Sequence, residues 1–158
     1  MNKLKNIALV ADYVSGANIS KIADFLKDDD VSNFVLFLSE LDERPELPLN
    51  FRVEESGNIL KKSLVKLKEV LYSKKTKNEQ SFDDNEIKGI FSFYENIDFD
   101  LILVASSEGA SLSKNFLLDA NYSEIYFTES VFSKDFFDIK ELELARDFFY
   151  NTERNFGS

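Results

Sequence analysis

A chain of 158 residues, 44% hydrophobic and 30% charged, with 19 basic against 29 acidic side chains, has the make-up of one soluble acidic domain. At this length folding buries roughly two thirds of the surface of the unfolded chain, so the core needs no disulfide or metal staple. The sequence contains no Cys, His or Trp, which excludes thiolate nucleophiles, imidazole bases and zinc or iron–sulfur centres built from those ligands.

Met1–Asn6 leads directly into a strand pattern, and no apolar run approaches the roughly 20 residues that a membrane span needs. The expectation is a cytoplasmic protein forming a single domain over residues 1–158. The terminal Gly157-Ser158 is also compatible with an expression scar, in which case the chain is an excised domain of a longer protein.

Ile7-Ala8-Leu9-Val10 is the kind of short apolar run a strand buried on both faces presents, and Asn33–Leu38 is a second. Between them Ile19, Ile22, Ala23 and Leu26 mark one face of a helix, with Asn18 as its expected N-cap. The run Asp28-Asp29-Asp30 lies near that helix's end, where the dipole favours cations. Strand, helix, strand in this order predicts a right-handed crossover.

After Pro45 and Pro48, Asn50–Val53 reads as an edge strand and Ser56-Gly57-Asn58 as punctuation before a new helix. Leu60, Leu64, Leu67 and Leu71 form its apolar stripe. Seven lysines lie between Lys61 and Lys77 against one acid, Glu69; the run has no arginine, so it reads as a solvated helix face and nucleic acid is not expected as a partner. Ser73–Asp84 lacks periodicity and is expected to be a loop.

Ile87, Ile90, Phe91 and Tyr94 predict a helix around Asn85–Glu95. Asp100–Ala105 is the strongest central-strand signal, followed by a helix at Ser111–Leu118, a strand at Glu124–Thr128 and a last helix over about Ile139–Tyr150. Strands and helices exchanging this regularly predict a three-layer α/β/α sandwich with a mostly parallel sheet, Rossmann-like or flavodoxin-like.

In such sheets ligands sit beyond the carboxyl ends of the strands, which directs attention to Ala11–Asn18, Ser106–Ser111 and Thr128–Ser133. In the first loop Asp12 is a carboxylate past the strand end, Ser15 and Asn18 offer hydrogen bonds, and Gly16 can take a positive φ beside a helix N-terminus suited to an anion. The second presents Ser106, Ser107, Glu108 and Ser111. Each set has an ordinary use as turn and helix caps. Neither loop carries a basic side chain or a glycine-rich nucleotide fingerprint. The acids Glu40, Asp42, Glu43 and Glu129 fix no cage geometry, and no metal is predicted. With no imidazole base near these serines, neither a catalytic residue nor a cofactor is assigned.

Ser15-Gly16-Ala17-Asn18-Ile19 after the first strand, and Asp100–Ala105 followed by Leu112-Ser113 and Phe116, resemble the N-terminal catalytic domain of folate-dependent formyltransferases, the glycinamide ribonucleotide type in particular. The resemblance spans residues 7–132 in short pieces and implies the fold. That family's Asn-Ile-His-Pro-Ser-Leu element falls on Tyr126-Phe127-Thr128-Glu129-Ser130-Val131, with Tyr126 in place of Asn and Thr128 in place of His. Formyl transfer relies on those two groups, so the resemblance implies a relative without them.

The chain holds 16 Phe and 6 Tyr, and the aromatics concentrate towards the C-terminus. Adjacent Phe136-Phe137 and Phe148-Phe149-Tyr150 point in different directions, so at least one of each set is expected at an interface. The leading expectation is a non-catalytic binding or assembly domain contacting a protein partner, or itself, through this region. The alternative is a small-molecule enzyme or nucleotide-binding domain holding a phosphorylated ligand in the two loops.

Overall fold

The computed structural model describes residues 3–91, 97–107 and 123–152. Five strands form one parallel sheet: β1 (Asn6–Ala11), β2 (Asn33–Leu38), β3 (Phe51–Glu55), β4 (Leu101–Ala105) and β5 (Glu124–Phe127), in the order β3-β2-β1-β4-β5. This is the Rossmann-like order, in which the chain winds outward from β1 to β3 and then crosses back to β4 on β1's other side. The three-layer prediction holds, and the strand order is the new information.

The central strands are apolar at every position because both of their faces are covered. On one face Leu9, Leu36 and Leu103 pack with Ile19, Ile22 and Ala23 of α1 (Gly16–Leu26) and with Leu142, Ala145 and Phe149 of α4 (Lys140–Asn151). Alternate residues Ala8, Val10, Val35, Phe37, Ile102 and Val104 are buried on the other face with Phe99. The connection from β3 to β4 supplies that second layer, including α2 (Ser56–Lys77) and α3 (Asp84–Phe91). The edge strand β3 shows the expected relaxation, alternating buried Phe51 and Val53 with exposed Arg52.

Several predicted boundaries move. The N-cap of α1 is Ser15 and not Asn18: its extended backbone lets Oγ accept the Asn18 N–H at 3.2 Å. The expected Ser73–Asp84 loop shrinks, because α2 continues to Lys77 and stops at Asn78, whose φ of 57° forms a left-handed cap with its N–H directed to the carbonyls of Lys74 and Lys75. Lysines in that last turn complement the helix dipole, which offsets their lack of apolar periodicity. Glu108, Ser111 and the helix predicted at Ser111–Leu118 lie outside the described residues, as do Leu112, Ser113 and Phe116 of the family comparison.

Asp29 explains the acidic end of α1. Its carboxylate receives Arg146 of α4 at 3.1 Å, and the guanidinium lies 5.0 Å from the Phe25 ring centroid. The misplaced-looking acid is a tie between the two helices of one layer. Beneath it lies an apolar cleft of about 270 Å³, counted with its open mouth and lined by Leu4, Ile7, Phe34, Leu101 and Leu142 among others. Of these, Ile7, Phe34 and Leu101 stand at the amino ends of their strands.

Candidate functional site

Parallel pairing of Ala11 with Ala105 and of Val104 with Phe127 brings the exits of β1, β4 and β5 to one rim. Because β1 is flanked by β2 and β4, the gap between β1 and β4 is the point where strand order reverses, and this is where sheets of this kind open a crevice. The crevice is therefore a consequence of topology, and the side chains there determine its chemistry.

Asp12 is its organising group. One carboxylate oxygen accepts the Ser106 hydroxyl at 2.8 Å, and the Ser107 N–H approaches the two oxygens at 3.2 and 3.3 Å. The loops after β1 and β4, far apart in sequence, are thus joined by one half-buried carboxylate. Ser15 is engaged as the α1 cap, and Asn18 lies on the first turn with its N–H taken.

Gly16 does not use the backbone freedom expected of it. It is the first residue of α1, its φ lies outside the left-handed region, and an added Cβ would meet only the Glu43 carbonyl oxygen at 3.8 Å, an ordinary contact. Neither the backbone conformation nor the neighbouring protein atoms require a glycine there.

The third loop turns back across the opening. Phe132 donates its N–H to the Ala105 carbonyl at 2.8 Å and accepts the Tyr13 N–H at 3.3 Å, while its ring is fully buried. Its backbone bridges the ends of β4 and β1, and its side chain closes the floor against Phe137 at 4.9 Å between centroids. The Phe132 plug is the feature sequence reasoning missed; one Phe among sixteen carries no signal of where its backbone will bond.

Around the plug the rim is acidic. Lys134 is 3.2 Å from Glu40 and 5.5 Å from the Tyr13 ring centroid, so this base is already engaged. The hydrogen bond to Glu40 raises the Lys134 pKa. A hydrogen bond to Asp42 raises the Tyr13 phenol, helped by slight desolvation and the Asp42 charge. Among the described residues no group of three or more acids is close enough to hold a metal ion.

The positions aligned with the formyltransferase catalytic pair have other uses. Tyr126 is half-buried and its hydroxyl donates to Glu141 at 3.3 Å; desolvation and then the Glu141 charge raise its pKa. Thr128 donates Oγ1–H towards the carbonyls of Ser130 at 2.8 Å and Val104 at 3.3 Å. Both side chains stabilise the β5 exit.

The C-terminal aromatics divide. Phe149 is core, 2% exposed, and cannot offer an interface: its direction on α4 faces the sheet. Phe137 and Phe148 pack against the same core, Phe148 lying 5.5 Å from the Tyr126 ring. Phe136 is 40% and Tyr150 46% exposed. Phe127, Val131 and Leu144 join them at the surface.

Fold and crevice together define a Rossmann-like α/β domain whose switch-point opening is crossed by its own chain. No protein-family model matches the sequence, and comparison with curated proteins finds no match. No helix among the described residues is long and apolar enough to cross a membrane.

Proposed function

We propose that this chain is a non-catalytic protein-binding domain that meets its partner through exposed apolar side chains of its C-terminal third. The observation that carries the reading is the placement of apolar groups there: Phe132 seals the crevice from within while Phe127, Val131, Phe136, Leu144 and Tyr150 remain at the surface. Aromatic and branched side chains left in water supply the apolar area on which protein interfaces are built. The relation to folate-dependent formyltransferases belongs to this reading as ancestry without activity, since Tyr126 and Thr128 are committed to β5. A cytoplasmic location fits it.

A photo-crosslinking residue placed at Phe136 or at Leu144 in cells should give a discrete adduct with a partner. The same residue at Leu49, which is apolar and 98% exposed on the far loop, should give none. Absence of an adduct at both C-terminal positions overturns the reading.

A second reading, a small polar ligand at the crevice, is favoured by the Asp12–Ser106–Ser107 network at the switch point. The carboxylates around the rim oppose a phosphorylated ligand by simple Coulomb repulsion. A thermal-shift screen of nucleotides, sugar phosphates and folates decides it: no shift is expected, and a saturable shift lost in Asn18→Ala or Ser107→Ala would replace the protein-binding reading.

A further inference from the structure

Lysines of α2 share a face with apolar side chains that the fold leaves in water. Leu64 is 50%, Val65 54%, Leu71 49% and Tyr72 72% exposed. At 100° per residue these four fall within an arc of roughly 120° together with exposed Lys61, Lys68 and Lys75. The inner side of the helix holds Lys74, and half-buried Leu67 and Val70. The leucine stripe is thus only partly used within the molecule: its Leu64 and Leu71 turn outward, and a lysine recurs beside them every seven residues.

A surface of opposite sign occurs on α4. Glu143, Leu144, Asp147 and Tyr150 are exposed there, with Lys140 in the first turn as the base on that side. The α2 face runs roughly 21 Å from Lys61 to Lys75, and the 12 residues of α4 span roughly 18 Å, so the two match in length as well as in charge.

We propose that α4 of one copy docks on α2 of another, making the occupant of the α2 face a second copy of this chain. The proposal rests on the protein-binding reading above and names its partner. Two α2 faces would set lysine against lysine, and two α4 faces carboxylate against carboxylate. The α2–α4 combination pairs opposite charges around an apolar centre. It cannot form within one molecule, because α4 packs with α1 on one face, while the right-handed crossover from β3 to β4 carries α2 over the other. Each pairing leaves one α2 and one α4 unoccupied, so the contact is heterologous and propagates into a ring or a filament.

Two charge-reversed forms of the full chain test this: Lys61→Glu/Lys68→Glu/Lys75→Glu, acidic on both faces, and Glu143→Lys/Asp147→Lys, basic on both. In sedimentation velocity the unaltered chain should associate with rising concentration, at least tenfold more weakly in about 0.5 M than in about 0.05 M salt, where screening is slight. Each variant alone should be monomeric, and their equimolar mixture should associate again. An unaltered chain that stays monomeric throughout overturns the proposal, as does a mixture of folded variants that fails to associate. If the chain is monomeric but its α2 binds an acidic amphipathic peptide, and the lysine variant does not, self-assembly falls while the protein-binding reading stands. Flotation with phosphatidylserine vesicles that the lysine variant loses would assign α2 to a lipid surface and overturn it too.

Discussion

Asp12 is half-buried at the rim and holds two loops with acceptor contacts to Ser106 and Ser107. Replacing it by Ala removes the acceptor of a part-buried hydroxyl and of an exposed amide, so Asp12→Ala should destabilise the domain by about 0.5–1.5 kcal/mol in urea unfolding. Lys74 makes a different case. It is 7% exposed, lies 2.9 Å from Glu86 and 3.4 Å from Glu79, and stands 5.0 Å from the Phe82 ring centroid. The basic run of the sequence therefore includes one lysine that is internal.

The Lys74 bond lowers the Glu86 pKa, assisted by the Asp83 backbone, and the Glu86 bond raises the Lys74 pKa. A carboxyl with a lowered folded pKa contributes stability above its unfolded pKa, about 4.3, and loses it as pH falls through the folded value. A raised lysine contributes fully below its unfolded pKa, about 10.4, and loses that part as pH rises through the folded value. Glu86→Gln should accordingly flatten both the acid and the alkaline limbs of a plot of urea midpoint against pH. An unchanged acid limb would show that the pair does not link stability to protons.

At the scale of elements, α1 separates capping from glycine flexibility. Ser15→Ala removes the oxygen that receives the Asn18 N–H and should cost about 1 kcal/mol. Gly16→Ala restricts the unfolded chain at a position already helical and unobstructed, and should stabilise by about 0.4–1 kcal/mol in thermal denaturation. The strands were legible because burial on both faces forces runs such as Leu101–Ala105 to be apolar throughout. The Ser15 cap was less so, since Ser15 and Asn18 both suit caps and only the backbone decides between them. For α2, leucine spacing identified a helix face but not its cover. At the crevice the loops could be named from their positions after strands, whereas the Phe132 bridge depends on backbone bonds without compositional trace.

For the whole molecule, stability concentrates where β1, β2 and β4 meet the two helical layers. Leu36 is fully buried among Leu9, Ile19 and Leu103 on the α1 side. Leu36→Ala should lose about 2–5 kcal/mol, and calorimetry should show a correspondingly lower melting temperature. A loss below 1 kcal/mol would mean that this layer collapses to refill the space.

The pairing of β1 on both sides has a consequence for synthesis. One neighbour, β2, follows within a single crossover, but the other, β4, arrives only after α2 and α3 have been made. On a translating ribosome the middle strand waits with a bare apolar edge until Leu101–Ala105 emerges, and Asp100 can then receive the N–H groups of Lys5 and Asn6. Nascent chains halted before that point should be the ones that chaperones capture, whereas chains halted beyond it should resist protease.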